Sequence, residues 1–273
     1  MINIKSYLTN PILVPSKRNK WENKAVFNGC VVKTGRKYRL IYRALAETII
    51  NGTKLDLSTI GMATGADKHN FRHRKQLLQP EQPWEQYGLE DPRVTKFFDD
   101  YYIFYTALGG FPPNATNIKV AVAVTKDFKT FEKHLVTPFN AKAMVLLPKL
   151  INGKMAAILT VNTDAPPATV AIAYFDKHED IWNEEYWRKW YARLEDHKIE
   201  LRRMTSDHIE VGAVPVETED GWLLVYSHIQ NYYSKQEMIF GIEAVLLDKN
   251  DPQKIIGRTR KPLMIPQEDY ELE

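Results

Sequence analysis

A single cysteine, Cys30, leaves no partner for an intrachain disulfide, which excludes a disulfide-stapled scaffold and fits a reducing, cytoplasmic setting. No apolar run approaches the roughly 18 residues of a membrane helix. The opening MINIKSYLTNPIL has neither an apolar stretch nor a small-residue cleavage site, so no secretory signal and no membrane partner are expected. Neither sign of charge dominates: 37 basic against 34 acidic residues leave +3, which gives no electrostatic case for nucleic acid. Glycine-rich phosphate loops, the Ser nucleophile elbow and paired-cysteine motifs are all missing. The seven histidines show no metal-ligand spacing; His69 and His73 fall on a basic loop (KHNFRHRK) that reads as a solvated edge. No metal or organic cofactor is therefore expected. Without a Gly/Ser-rich linker, residues 1–273 read as one domain. At 44% hydrophobic and 26% charged, the composition is that of a globular protein, not a disordered or collagen-like chain.

What the sequence does have is aromatics, at 11%, and a repeat. Four segments share one design of extended run, turn and second run: Ala25–Ala44, Asp91–Ala107, Met144–Asn162 and Gly212–His228. Their turns are placed at Thr34-Gly35, Asp99-Asp100, Asn152-Gly153 and Asp220-Gly221, residue types that tolerate positive φ. The starts are separated by 66, 53 and 68 residues, near the upper end of propeller-blade periods. Each hairpin is followed by a strand rich in small residues: Thr59–Ala63, Ile118–Val124, Thr169–Tyr174 and Phe240–Leu247. Asp67, Asp127 and Asp176 mark turns after three of these. Further extended pieces, such as Gln76–Pro80 and Pro262–Pro266, close the units. Four antiparallel strands per unit and little helix make an all-β propeller of four-stranded blades. The exception is Glu184–Asp196, where Trp187, Trp190, Tyr191 and Leu194 have helical spacing. It reads as a helical insertion in the third blade, packed on the propeller or set as a lid.

In a propeller the innermost strands line a central channel, so polar residues at their ends are candidates for a site. These are Asn28, Asp91, Arg93, Lys142 and Glu210 at the starts of first strands, and Arg43, Tyr105, Asn162 and His228 at the ends of second strands. The most informative segment is Gly88-Leu89-Glu90-Asp91-Pro92-Arg93. Proline biases the residue before it toward extended backbone, so Asp91 is expected to be extended, with its carboxylate fixed in direction beside a cation. Trp84 and Tyr87 precede this segment, as core residues or as platforms for a sugar ring.

These blocks, together with Asn10-Pro11-Ile12-Leu13, Trp21-Glu22, Ala25-Val26-Phe27-Asn28, Tyr42-Arg43-Ala44, Tyr105-Thr106-Ala107, Gly221-Trp222-Leu223-Leu224-Val225-Tyr226, Leu247-Asp248 and Arg258-Thr259, occur in the order found in glycoside hydrolase family 130. The chain resembles that family of β-mannoside phosphorylases and β-mannosidases over almost all of residues 10–270. The resemblance implies a five-bladed propeller and an inverting reaction on short manno-oligosaccharides, with Asp91 as general acid acting through a hydroxyl of the mannose. Asp91 must then be protonated when substrate binds, so burial is expected around it. Substrate contacts are implied for Asn28, Arg43, Glu90, Arg93, Tyr105, Asn162 and His228.

The second participant is either water or inorganic phosphate as co-substrate. Lys142, with Arg43 and Arg93, would hold phosphate. Against this, Thr160-Val161-Asn162 lacks the Arg that phosphorylases carry there, and His228 sits one residue late after Tyr226, which turns it to the other strand face unless a bulge intervenes. Glu210 stands where phosphorylases tend to have Gly, and would serve as base for water. Hydrolysis by Asp91 and Glu210 is thus the first expectation and phosphorolysis the second; a non-catalytic glycan-binding propeller is a third. The resemblance also implies an inner strand past Tyr270 with a further sugar-binding Asp. Four repeats account for the 273 residues, so the last blade is expected to be incomplete, with self-association of the chain as a consequence.

Overall fold

The computed structural model describes residues 10–234 and 236–271, which fall into two compact units, residues 10–136 and 137–271. The described residues are organised as four antiparallel sheets and one α-helix, none of it long and apolar enough to cross a membrane as a helix. The fold class is the all-β propeller of the sequence reading, with four blade sheets and no fifth among the described residues.

The first unit holds two four-stranded meanders. One is β1 (Ala25–Thr34), β2 (Lys37–Ile50), β3 (Thr53–Gly65) and β4 (Arg72–Leu78); the other is β5 (Leu89–Phe97), β6 (Asp100–Leu108), β7 (Ile118–Thr125) and β8 (Glu132–Leu135). Residues from both sheets form one core, including Ile41, Ile60, Met62, Leu89, Val94, Ile103 and Tyr105. Small residues on the third strands serve close approach: a Cβ on Gly61 would lie 2.5 Å from the Tyr42 ring and 2.7 Å from Trp21. Turn chemistry is as expected at Gly35, where φ is +60. In the second hairpin it is Phe98 that takes a positive φ (+51), one residue before the expected Asp99-Asp100 turn, because Asp100 is already paired with Phe97. Asp67 and Asp127 each accept backbone N–H bonds from the residues two and three places on; the Asn70 side-chain amide and then these bonds hold Asp67 below its ordinary pKa, and the backbone bonds do the same for Asp127. Cys30 lies beside Val94 of the second sheet, and burial pushes its thiol pKa up, which leaves it an inert packing residue.

The second unit is less regular. Its first sheet has three strands, β9 (Ala141–Leu146), β10 (Met155–Val161) and β11 (Thr169–Phe175). The expected fourth strand is replaced by a single bridge between Ala171 and Lys198, because the chain after β11 is spent on helix. The helix α1 (Glu184–Tyr191) begins at Asn183, whose side chain accepts from Tyr186 N. It is followed by a 3-10 turn, Leu194–His197, so the expected helix over 184–196 is broken in two. Trp187 and Trp190 are buried, donate to Ile181 O and Ile172 O, and pack on Phe139. The aromatic stripe is therefore packing, not a lid.

The last sheet contains β12 (His208–Val211), β13 (Val216–Glu217), β14 (Trp222–Gln230), β15 (Ile239–Leu247) and β16 (Ile255–Arg258). Its opening strand starts at His208, not at the expected Gly212. Both Gly212 N and Ala213 N donate to Val225 O, which breaks the ladder at that point. Its closing strand is Ile255–Arg258, not Pro262–Pro266, since the flanking prolines have no N–H to give; Met264 alone makes a bridge, to Ile242. Asp248 forms the same N–H-capturing turn as Asp67 and Asp127, a repeat the sequence reading placed at Asp176 instead. The core of this unit lies between its two sheets, around Val145, Ile158, Ile172, Trp222, Leu224 and Val245.

Candidate active site

The first strands of the first three sheets are interrupted at one equivalent place. The β1–β2 register shifts between Phe27 and Cys30, the β5–β6 register between Glu90 and Arg93, and the β9–β10 register around Ala143. The residue at each break has a positive φ: Asn28 at +50, Asp91 at +52 and Ala143 at +52. Asp91 is thus left-handed, not extended as the following proline led one to expect. Asn and Asp tolerate this region better than most residues, and the bulge re-aims the side chain out of the sheet's alternation. Holding a non-glycine residue there costs on the order of 1–3 kcal/mol, an expense concentrated at functional positions.

The result is a polar cluster inside the first unit. Asp91 Oδ1 accepts from Asn28 Nδ2 at 2.7 Å and from Arg43 Nη1 at 3.3 Å. Arg43 also bonds Glu90 through Nη2 and Ser58 Oγ through Nε at 2.8 Å, and lies over the Phe27 ring. One guanidinium therefore holds both carboxylates of the Glu-Asp pair in a fixed relation. Arg93 Nη1 donates to the backbone oxygen of Asp91 at 2.7 Å. The Asp91 side chain is 24% exposed, so the enclosure expected around it is partial.

Tyr105, expected at substrate, is buried, and its hydroxyl donates to Glu85. Glu85 is itself buried and pairs with Lys133 at 2.7 Å. The same device occurs one sheet earlier, where Tyr42 donates to buried Glu22 at 2.7 Å and Glu22 meets Arg74 at 3.3 Å. Burial, then the neighbouring carboxylate, pushes both phenols well above their ordinary pKa. These geometries fit internal struts, not sugar contacts.

In the second unit Lys142 pairs with Asp164 at 2.9 Å, and Asn162 (φ +60) accepts from Tyr191 Oη of α1 at 3.0 Å. Glu210 is about one-third exposed and has His208 Nε2 at 3.1 Å; His208 stacks on Tyr232. His228 lies on the Tyr226 face of β14, and the β14–β15 register runs without a bulge between them. It is buried between two carboxylates, with Nε2 2.9 Å from Asp207 and Nδ1 3.1 Å from Glu243. Glu243 also accepts from Tyr226 and Arg203 at 2.8 and 2.7 Å. Both ring nitrogens of His228, expected at substrate, thus face carboxylates of the protein itself. Sequence reasoning missed Asp164, Asp207, Arg203 and Glu243, which carry no local motif.

Burial acts to raise the Glu243 pKa, but the bonds from Arg203 and Tyr226 and the His228 and Arg203 charges outweigh it and hold it below the ordinary carboxylate value. A depressed folded-state pKa stabilises the fold above the unfolded value, about 4.3 for Glu, and that contribution disappears as pH falls through the folded value. The unfolding temperature should accordingly drop as pH falls below about 4. Glu243→Gln should flatten that drop while lowering the neutral-pH value. Identical acid profiles for the two proteins would remove Glu243 from this role.

The family model for glycoside hydrolase family 130, described as beta-1,4-mannooligosaccharide phosphorylase, matches residues 4–272. A beta-1,2-mannobiose phosphorylase of Thermoanaerobacter sp. (strain X514) is 32% identical over 282 residues, covering 100% of this chain and 86% of that protein. A 1,2-beta-oligomannan phosphorylase of the same strain is 30% identical over 281 residues, with the same two coverages, 100% and 86%. Among solved structures, a beta-1,2-mannobiose phosphorylase from Listeria innocua, in complex with beta-1,2-mannobiose, aligns with a TM-score of 0.74 at 23% identity, covering 97% of this chain and 84% of that one.

Proposed function

Because the chain belongs to glycoside hydrolase family 130, whose members act on β-mannosides, we propose that it is an inverting β-mannoside phosphorylase that uses inorganic phosphate to release mannose 1-phosphate from short manno-oligosaccharides. The relatives above name phosphorylases, which favours phosphate over the water expected first from Glu210. Two of them name β-1,2 linkages, so β-1,2-mannobiose is the first substrate to test.

The observation that carries the reading at residue level is the Asp91 carboxylate, set on a left-handed bulge and held by Asn28 and Arg43. In the proposed reaction a phosphate oxygen attacks the anomeric carbon on the face opposite the leaving sugar. The C1–O bond breaks, and the departing oxygen takes a proton that originates from Asp91, so mannose 1-phosphate forms as the α anomer. Arg43 positions the acid. In the first unit Asn28 and Glu90 have polar atoms suited to mannose hydroxyls and Arg93 carries positive charge suited to phosphate; in the second unit Asn162 and Lys142 offer the same two chemistries.

One observation supports a second reading, hydrolysis: the part-exposed Glu210 carboxylate beside His208 is built like a base for water. Product analysis of β-1,2-mannobiose digests separates the two. Equimolar mannose and mannose 1-phosphate, formed only when phosphate is present, supports phosphorolysis. Mannose alone, formed at the same rate with or without phosphate, supports Glu210 and water. No turnover across a β-mannoside panel leaves the glycan-binding propeller.

A further inference from the structure

The loop after β10 carries Asp164, held by three hydrogen bonds at its carboxylate and one at its backbone N–H. Its oxygens accept from Lys142 Nζ at 2.9 Å, Asn140 Nδ2 at 3.0 Å and Thr163 Oγ1 at 2.8 Å, and its own N–H donates to Asn140 Oδ1 at 2.9 Å. Asn140 thus grips both the backbone and the side chain of the aspartate. The loop is also fastened from α1. Tyr191 donates to Asn162, two residues before Asp164, and stacks at 4.3 Å on Phe139, the neighbour of Asn140. Burial works to raise the Asp164 pKa, but Asn140, Lys142 and Thr163 together hold it below the ordinary value, so Asp164 is ionised at neutral pH. Lys142 and Asp164 are each 23% exposed at the side chain, open enough to meet a solute.

We propose that Asp164 sets the affinity for phosphate by occupying Lys142 as an internal carboxylate where the anion would otherwise bind. The Lys142 ammonium is engaged by the Asp164 carboxylate at 2.9 Å. A phosphate dianion approaching Lys142 meets a fixed like charge and binds weakly unless that carboxylate is displaced or neutralised. The proposal rests on phosphate being the co-substrate, and it makes Asp164 the residue that decides how much phosphate the enzyme needs.

The test is calorimetric titration of inorganic phosphate into the full chain, alongside initial rates on β-1,2-mannobiose at varied phosphate. The variants are Asp164→Asn, which keeps the shape, and Asp164→Ser, which keeps a hydrogen-bonding group if the first does not fold. Either should tighten phosphate binding by about tenfold, the size of a modest like-charge repulsion, and lower KM for phosphate more than it changes kcat. Lys142→Ala should move affinity the other way. Unchanged or weaker phosphate binding in a folded Asp164 variant overturns the assignment, even if mannose 1-phosphate is made. Tighter binding without any mannose 1-phosphate from the wild type would show that Asp164 competes with the anion at Lys142 but overturn phosphorolysis, and with it any part of Asp164 in the phosphate demand of the enzyme.

Discussion

Asp91→Asn should lower the rate of mannosyl transfer by about 10²–10⁴, the usual worth of a positioned general acid. The substitution preserves size and the hydrogen bond geometry around Oδ1, where Asn28 and Arg43 converge. Arg43 stays paired with Glu90, so no buried cation is stranded and the unfolding temperature should hardly move. The loss should shrink on an aryl mannoside, whose leaving group departs without a proton, because the acid then has little to do. An undiminished rate on the natural linkage would remove Asp91 from the chemistry. An equal loss on both substrates would recast it as a binding residue.

Glu85→Ala should destabilise the first unit by roughly 3–5 kcal/mol, the cost of breaking a buried ion pair from one side. Glu85 is fully buried; it takes the Tyr105 hydroxyl, the Lys133 ammonium at 2.7 Å and the Glu81 N–H at 3.0 Å. Removing it strands Lys133, whose side chain is 5% exposed, in a site with no compensating charge but Glu81 at the surface. The double variant Glu85→Gln with Lys133→Met should recover much of the loss, since neutral side chains of similar size at both positions avoid the stranded charge. Chemical denaturation reads this directly. A midpoint within experimental error of wild type for Glu85→Ala would mean that the strut carries no stability.

The repeat was legible because turn residues and small-residue strands recur at blade spacing, and the hairpin pairings follow them. The first unit also carries a finer copy of that repeat. Asn28 and Asp91, the two left-handed bulge residues of the first unit, are 63 positions apart. Trp21-Glu22 and Trp84-Glu85 keep that offset, and each Glu takes a hydroxyl from a Tyr 20 positions further on. The offset marks Tyr42 and Tyr105 as equivalent buried positions, each with its hydroxyl committed to a buried Glu. It also pairs Asn28 with Asp91 across two sheets, a contact that no local pattern announces.

The left-handed backbone at Asp91 ran against the local rule for residues before proline. The bulge, fixed by tertiary register, overrides a preference of modest size. The second unit was harder to read for a related reason. Lys142 and Asp164, or His228, Asp207 and Glu243, meet only because strands align them, and none of these residues stands in a motif. The one-residue displacement of His228 was readable, because strand alternation alone places it on the Tyr226 face.

The central claim is phosphorolysis with inversion, and phosphorus NMR of β-1,2-mannobiose turnover in phosphate buffer tests it in one experiment. The account predicts loss of the inorganic phosphate signal matched by growth of α-mannose 1-phosphate alone, with neither change in Asp91→Asn over the same period. Mannose accumulating while the phosphate signal stays constant would contradict it, as would a β-anomeric product.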